Sequence, residues 1–360
     1  MSYVPSSRSL LPSEWHPQEW LWVGFPHAAE EWPGVLERAQ EQIAAFANVV
    51  AESGQEVRLL VRDAANADRA RELVSGAVRL ERRVYGDVWL RDTGPLVVAG
   101  RDGACEARLF GFNGWGGKYP MPGDTTIGAE LAESAGLTAR RGDWILEGGA
   151  IDGDGSGLVV TTEQCLLNPN RNPRLSRGDI EARLAADLGF TRVLWLGDGL
   201  INDHTDGHVD NLARFVAPGV LALPEASGDE DPNAAVYVDA AARARAFGLE
   251  VAAVPSPGRV EVAGAVQPAS YMNFVITTRL VVVPVFGNRF DDAGVAAIAR
   301  LFPGRTTIGL PADAVLAGGG GFHCASQQMP APWPLTAATA GTPRARRGSS
   351  PPRRWSGGRR

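Results

Sequence analysis

An α/β fold follows from three observations on this chain of 360 residues. Five segments carry the spacing of amphipathic helices. Each is closed by Gly or by Pro-Gly. Short apolar runs of strand length lie between them. The helix-ending glycines Gly54, Gly136, Gly189, Gly248 and Gly304 are separated by 82, 53, 59 and 56 residues. A recurrence of this kind suggests one supersecondary unit used about five times. Such units could close into a ring, but an ordinary open sheet gives the same alternation, and periodicity alone favours the open sheet.

The first helix starts near Pro33, ends in Ala51-Glu52-Ser53-Gly54 and precedes a strand over Val57 to Val61. The second spans Ile127 to Gly136. The third opens at Ser176, an N-cap with Asp179 three residues on, and closes at Gly189 before Val193 to Leu196. The fourth runs from Ala234 to Gly248 and precedes Val251 to Val254. The fifth covers Asp292 to Phe302 and meets Pro303-Gly304. Further strands are expected over Pro95 to Ala99, Gly157 to Thr162, Leu212 to Leu223 and Leu280 to Phe286.

Composition excludes several classes. Hydrophobic residues make up 44% of the chain, enough for a large core. The longest apolar run, Leu280 to Phe286, is far short of a membrane span, and Met1 to Ser13 lacks the pattern of a secretory signal. Three cysteines cannot form a disulfide framework, so a reducing, cytoplasmic setting is expected. The net charge is -6, yet residues 331–360 carry seven arginines and no acid, which leaves -13 on residues 1–330. An acidic body argues against nucleic-acid binding and tolerates a cationic ligand. Residues 1–330 therefore read as one catalytic domain and 331–360 as a disordered Arg/Pro/Gly-rich tail. Neither GxxxxGK[ST] nor GxGxxG occurs, so nucleotide phosphates are not expected ligands. A homo-oligomer is compatible with the sequence.

Polar residues that are costly to bury gather in four glycine-marked runs, each in a different unit. Cys324 follows four glycines and His323, a setting that lets the backbone approach another group closely. A thiol is a strong nucleophile once deprotonated, whereas a buried cysteine is more often a small hydrophobe. Cys105, in an expected surface turn, and Cys165, in an apolar run, are read as structural. His208 and Asp210 face the same side if extended and can address one ligand. His204 and His208 at i, i+4, with Asp210, also have the spacing of metal ligands, although Gly207 and Val209 argue against the helix this requires. Asp92 lies beside Arg91, Trp89 is core filler or a pocket wall, and Glu147 before two glycines reads alone as a turn residue.

Taken together, the runs resemble the agmatine deiminase family, related to Porphyromonas-type peptidylarginine deiminases, over roughly residues 10–330. The blocks are Glu14-Trp15 with Trp22 and Pro26; Asp87-x-Trp89-x-Arg91-Asp92-Thr93-Gly94-Pro95; Asn113-Gly114-Trp115-Gly116-Gly117; and Glu147-Gly148-Gly149. They continue with Thr162-Glu163-Gln164-Cys165 through Asn168, Arg171 and Pro173; Thr205 to Asn211; and Gly318 to Cys324. The resemblance implies a five-bladed pseudo-symmetric α/β propeller in place of the open sheet. It implies agmatine as substrate, with no metal or other cofactor. It casts Cys324 as nucleophile, His208 as acid and base, Asp92 and Asp210 as the guanidinium clamp and Glu147 as the group orienting the histidine. Trp89 and Trp115 would line the slot for the aliphatic stem. Familiar members read Gly-Gly-Gly-Asn-Ile-His-Cys where this chain has Gly321-Phe322 before His323-Cys324. They also read Glu-Asp-Thr-Asn where it has Asp203-His204-Thr205-Asp206. Alternatives are a deiminase of peptidyl or free arginine, an amidinotransferase, a metal-dependent hydrolase using His204, His208 and Asp210, and a non-catalytic polyamine binder.

Overall fold

Helix Leu36–Glu52 forms because Ala39, Ile43, Ala47 and Val50 recur on one face, and all four are buried. Arg177–Leu188 begins with a capping box. The Asp179 carboxylate accepts the Ser176 N–H at 2.9 Å, and the Ser176 hydroxyl accepts the Asp179 N–H at 3.3 Å. It ends on Gly189 at φ +81°, as Ala234–Phe247 ends on Gly248 at φ +93°. Asp291–Leu301 departs from the expectation: Phe302 caps it, and Gly304 is not among the left-handed glycines.

These elements come from a computed structural model that describes residues 9–100, 103–262 and 264–332. Of the expected basic tail, residues 333–360 lie outside the described residues. Among the described residues the strands form six separate sheets of two to four strands, not the single open sheet that periodicity favours. Both arrangements alternate helix with strand; they differ in whether consecutive units share a ladder, which a one-dimensional pattern does not record.

Five of the sheets repeat one order. Two antiparallel strands are followed by a helix and a third strand parallel to the second. Leu96–Gly100 and Cys105–Gly111 pair antiparallel, then Ile127–Ser134 leads to Thr138–Ile145, parallel to Cys105–Gly111. Ile151–Gly153, Leu158–Thr162 and Arg192–Leu196 repeat it around Arg177–Leu188. Arg214–Ala217, Val220–Glu225 and Glu250–Pro255 do so around Ala234–Phe247, so the expected single strand over Leu212 to Leu223 is a hairpin broken at Pro218-Gly219. Val275–Ile276, Leu280–Val285 and Thr306–Pro311 follow around Asp291–Leu301. The remaining sheet joins both ends of the described chain. Ser326–Pro330 pairs antiparallel with Gln18–Gly24, and Glu56–Val61 lies parallel to the latter after Leu36–Glu52.

The apolar core divides into four clusters among the described residues. Where the units converge the filling is polar. Glu14, Arg91, Arg214 and His323 are buried together, and the Arg214 guanidinium bonds to Glu14, to Asp152 Oδ1 at 3.1 Å and to the Phe274 carbonyl at 2.7 Å. Charges removed from water require such pairing.

Candidate active site

Packing dictates the glycine run before Cys324. A Cβ on Gly318 would stand 2.4 Å from the Trp32 ring, one on Gly320 2.7 Å from Trp89, and one on Gly321 2.4 Å from Asn273 Oδ1. Phe322 then anchors the turn by stacking on Phe46 of helix Leu36–Glu52, with ring centroids 4.8 Å apart. Cys324 emerges buried against Trp89, facing a cleft of about 270 Å³. Its wall includes Trp89, Asp92, Trp115, Tyr119, His204 and Thr205, with Glu30, Glu31 and Asp87.

Asp92 sits in the short turn Leu90–Thr93, where neighbouring Arg91 faces the other way, toward Gln327 and Gln328 at 3.0 and 2.8 Å. One Asp92 oxygen accepts the Gly149 N–H at 2.9 Å and the other accepts the indole N–H of Trp115 at 2.9 Å. Trp115 holds a left-handed backbone at φ +52°, uncommon for a bulky residue, to present that N–H. Burial raises the Asp92 carboxyl, with Asp210 and Glu147 adding to the rise.

His208 precedes the 3₁₀ turn Val209–Asn211, so it and Asp210 are not two positions of one extended strand, yet both reach the site. Its ring is completely buried between carboxylates: Nδ1 lies 3.7 Å from Asp92 and Nε2 3.6 Å from Glu147. Burial opposes its charge, but Asp92 first, then Cys165 and Glu147, hold it well above the ordinary histidine range. Gly149 makes this crowding possible, because a Cβ there would meet His208 Nδ1 at 2.6 Å and Asp92 Oδ1 at 2.9 Å. Glu147 is fixed by Arg171, whose Nε lies 2.8 and 3.2 Å from its two oxygens. Burial would raise the Glu147 carboxyl; His208 and Arg171 bring it below its usual value.

Asp210 Oδ2 accepts from His323 Nδ1 at 2.7 Å and lies 3.6 Å from Cys324 Sγ, while its Oδ1 is buried without a partner among the described residues. The other nitrogen of His323 meets Glu14 at 2.8 Å. Burial is outweighed at Asp210 by His323, which keeps the carboxyl low. The Cys324 thiol is pushed well up by burial, and further by Asp210 and Asp92. Asp87, on the cleft wall, is pushed up to about 7 by burial, aided by Asp124 and Glu31.

The structure thus gathers Cys324, His208, Asp92, Asp210, Glu147, Trp89 and Trp115. It does not assemble His204 with His208 and Asp210 as a metal-ligand set. His204 is exposed on the cleft wall, its ring centroid 6.0 Å from that of Tyr119. Among the described residues, the His, Cys and acidic groups whose ligand atoms converge are Glu147, Cys165 and His208, within 4.8 Å. Cys165, read from sequence as structural, lies behind the histidine in the short helix Glu163–Leu166. Cys105 begins strand Cys105–Gly111 instead of lying in a turn. Sequence reasoning also gave no role to Glu14, Arg171, Asn273 or His323; the first two and His323 did stand inside the quoted blocks.

The model of the Porphyromonas-type peptidyl-arginine deiminase family matches residues 10–330. The chain belongs to this family. It is 35% identical over 353 residues to an agmatine deiminase of Pseudomonas aeruginosa, covering 89% of this chain and 95% of the relative. Among solved structures it resembles the agmatine deiminase of Enterococcus faecalis, with a TM-score of 0.85 and 30% identity over 92% of this chain and 99% of that one. A cysteine-to-serine variant of the C. jejuni agmatine deiminase with substrate bound matches with a TM-score of 0.85 and 27% identity, over 92% and 99%. An amidinotransferase of Microseira wollei, at 13% identity and a TM-score of 0.55, shares the fold alone.

Among the described residues no helix is long and apolar enough to cross a membrane.

Proposed function

We propose that this chain is a hydrolase converting agmatine and water to N-carbamoylputrescine and ammonia, on a five-bladed α/β propeller formed by residues 1–330. The observation that carries the reading is that a buried thiol and a buried carboxylate, Cys324 and Asp92, line one cleft, with Asp210 3.6 Å from the sulfur and His208 3.7 Å from Asp92 behind them. A guanidinium carbon is a poor electrophile because its charge is delocalised, and two carboxylates that take its N–H groups fix its plane. Asp92 and Asp210 are cast in that role. The buried Oδ1 of Asp210 awaits a donor, and the Asp92 oxygens keep lone pairs beyond the Trp115 and Gly149 bonds.

The docked cation offsets the burial and acids that keep Cys324 protonated, so the thiol gives up its proton to solvent as the guanidinium binds, and the thiolate attacks the central carbon. His208, held charged, protonates the departing nitrogen. The C–N bond breaks, ammonia leaves and an amidino group stays on sulfur. His208, now neutral, takes a proton from water as its oxygen attacks the same carbon, and the C–S bond breaks to give the urea. Trp89 and Trp115 flank the aliphatic stem. Glu30, Glu31 and Asp87 line the outer cleft, and among the described residues its lining includes no arginine or lysine, which suits a distal ammonium better than the carboxylate of free arginine. Assays of ammonia and N-carbamoylputrescine on agmatine, free arginine and C-terminal-arginine peptides test the substrate. Agmatine is expected to be preferred, and Cys324→Ala to lower turnover by at least about 10³-fold. An alanine variant with full activity, or a preference for peptides, contradicts the proposal.

A further inference from the structure

Cys324 lies in a setting that resists ionisation. Asp210 is 3.6 Å from its sulfur, and Asp92 raises it as well. The charged and titratable groups around it are Asp92 and Arg91 from one turn, His208 and Asp210 from another, and His323 beside it. Arg91 directs Nη1 to Gln327 and Gln328 and Nε to the His323 carbonyl, with Nη2 4.0 Å from Glu14, and His323 bridges Asp210 and Glu14. The side-chain N–H that reaches the sulfur belongs to Asn273, at the end of the 3₁₀ turn Tyr271–Asn273, with Nδ2 3.0 Å from Sγ.

The orientation of that amide is determined. Its acceptor end receives two backbone donors, the N–H of His323 at 2.9 Å and that of Cys324 at 3.3 Å, so this end must be the oxygen. The NH₂ end then has two acceptors for two hydrogens: Cys324 Sγ and Asn211 Oδ1, the latter at 2.9 Å. Asn211 is oriented in turn, because its own Nδ2 donates to Asp203 at 3.3 Å. Gly321 leaves the room, since a Cβ there would lie 2.4 Å from Asn273 Oδ1. One buried carboxamide therefore holds the nucleophile's backbone with its oxygen and addresses the sulfur with its nitrogen.

We infer that Asn273 is a catalytic residue that donates a hydrogen bond to Cys324 Sγ and favours the thiolate over the thiol. The inference rests on the reading of Cys324 as nucleophile. A hydrogen bond to an ionised sulfur is stronger than one to the neutral thiol, so the donor stabilises the reactive form selectively. The carboxamide is neutral, so it adds no charge to repel an incoming guanidinium, as a lysine or arginine would.

The test is the pH dependence of alkylation of Cys324 by iodoacetamide in the full-length protein, followed by mass spectrometry of the Cys324 peptide. Asn273→Ala removes the donor without adding charge, and Asn273→Asp keeps the shape and the acceptor for both backbone N–H groups. In each, the midpoint of alkylation is expected to move to higher pH, with about tenfold less thiolate at a given pH below it. The rate at pH values above the midpoint is expected to match the parent. The acid limb of kcat/KM for agmatine is expected to shift in the same direction. A midpoint unchanged in whichever variant keeps the parent's thermal unfolding profile, with alkylation slowed equally at every pH, would show a purely structural role and overturn the inference. Alkylation does not require turnover, so this result is separate from a failure of the nucleophile reading, which would appear as activity retained in Cys324→Ala.

Discussion

Glu147 shows how one carboxylate sets the chemistry of another residue. It is one of the causes that hold His208 charged, and it is itself held by Arg171. Glu147→Gln removes a negative charge from beside the ring, so the histidine loses its proton at lower pH. The alkaline limb of the agmatine pH profile is expected to move to lower pH, and kcat to fall about tenfold to a hundredfold. An alkaline limb left in place would contradict an orienting and charging role. Cys324, His208, Asp92, Asp210 and Glu147 all stand in glycine-marked polar runs, but it was the family resemblance that cast them as one site; alone, Glu147 read as a turn residue and Asp92 as a neighbour of Arg91. Asn273, Arg171 and Glu14 gave no such signal on their own. Glu14 meets His323, 309 residues away, and Asn273 meets Cys324, 51 residues away, and such meetings exist only once the units have assembled.

Elements ended by glycine separate two situations that look alike in sequence. Gly248 has φ +93° with no described residue near a Cβ, so Gly248→Ala carries the left-handed strain alone. A loss of about 1 kcal/mol in unfolding free energy is expected. Gly304 is not left-handed and is equally open, so Gly304→Ala is expected to be close to neutral in the same urea titration. Equal losses at both sites would contradict the capping assignment. Four of the five helix ends were read correctly from sequence because a Gly after an amphipathic run carries a steric reason. Helix Ala64–Leu73 was not anticipated. Its apolar face is narrow, Ala67, Ala70 and Leu73, and it is also held by tertiary contacts such as the Asn66 amide donating to the Pro26 carbonyl at 3.0 Å, with Asp63 as N-cap. The strand seen over Leu212 to Leu223 was split by a Pro-Gly turn that an apolar count alone passes over.

Across the whole molecule, the units meet around buried charge. Arg214 is 0% exposed and neutralises Glu14 and Asp152. Arg214→Met would leave both acids buried without their partner, and a loss of about 3–5 kcal/mol is expected by urea unfolding near neutral pH. Burial alone would raise the Glu14 carboxyl, but Arg214 and then His323 hold it far below its ordinary value of 4.5. Its contribution to stability is therefore complete above pH 4.5 and is lost as pH falls toward the depressed folded value. Glu14→Gln is expected to flatten that acid-side decline, and an unchanged decline would show that other carboxylates govern it. The same convergence brings together Asp92, the turn that carries His208 and Asp210, and Cys324 from three distant stretches of the chain, and its purpose in this account is a covalent step at sulfur. Mass spectrometry of enzyme quenched during agmatine turnover tests this most directly. A gain on the Cys324 peptide equal to agmatine less ammonia is the predicted result; an unmodified Cys324 under quenching conditions shown to preserve an S-amidino adduct would contradict it.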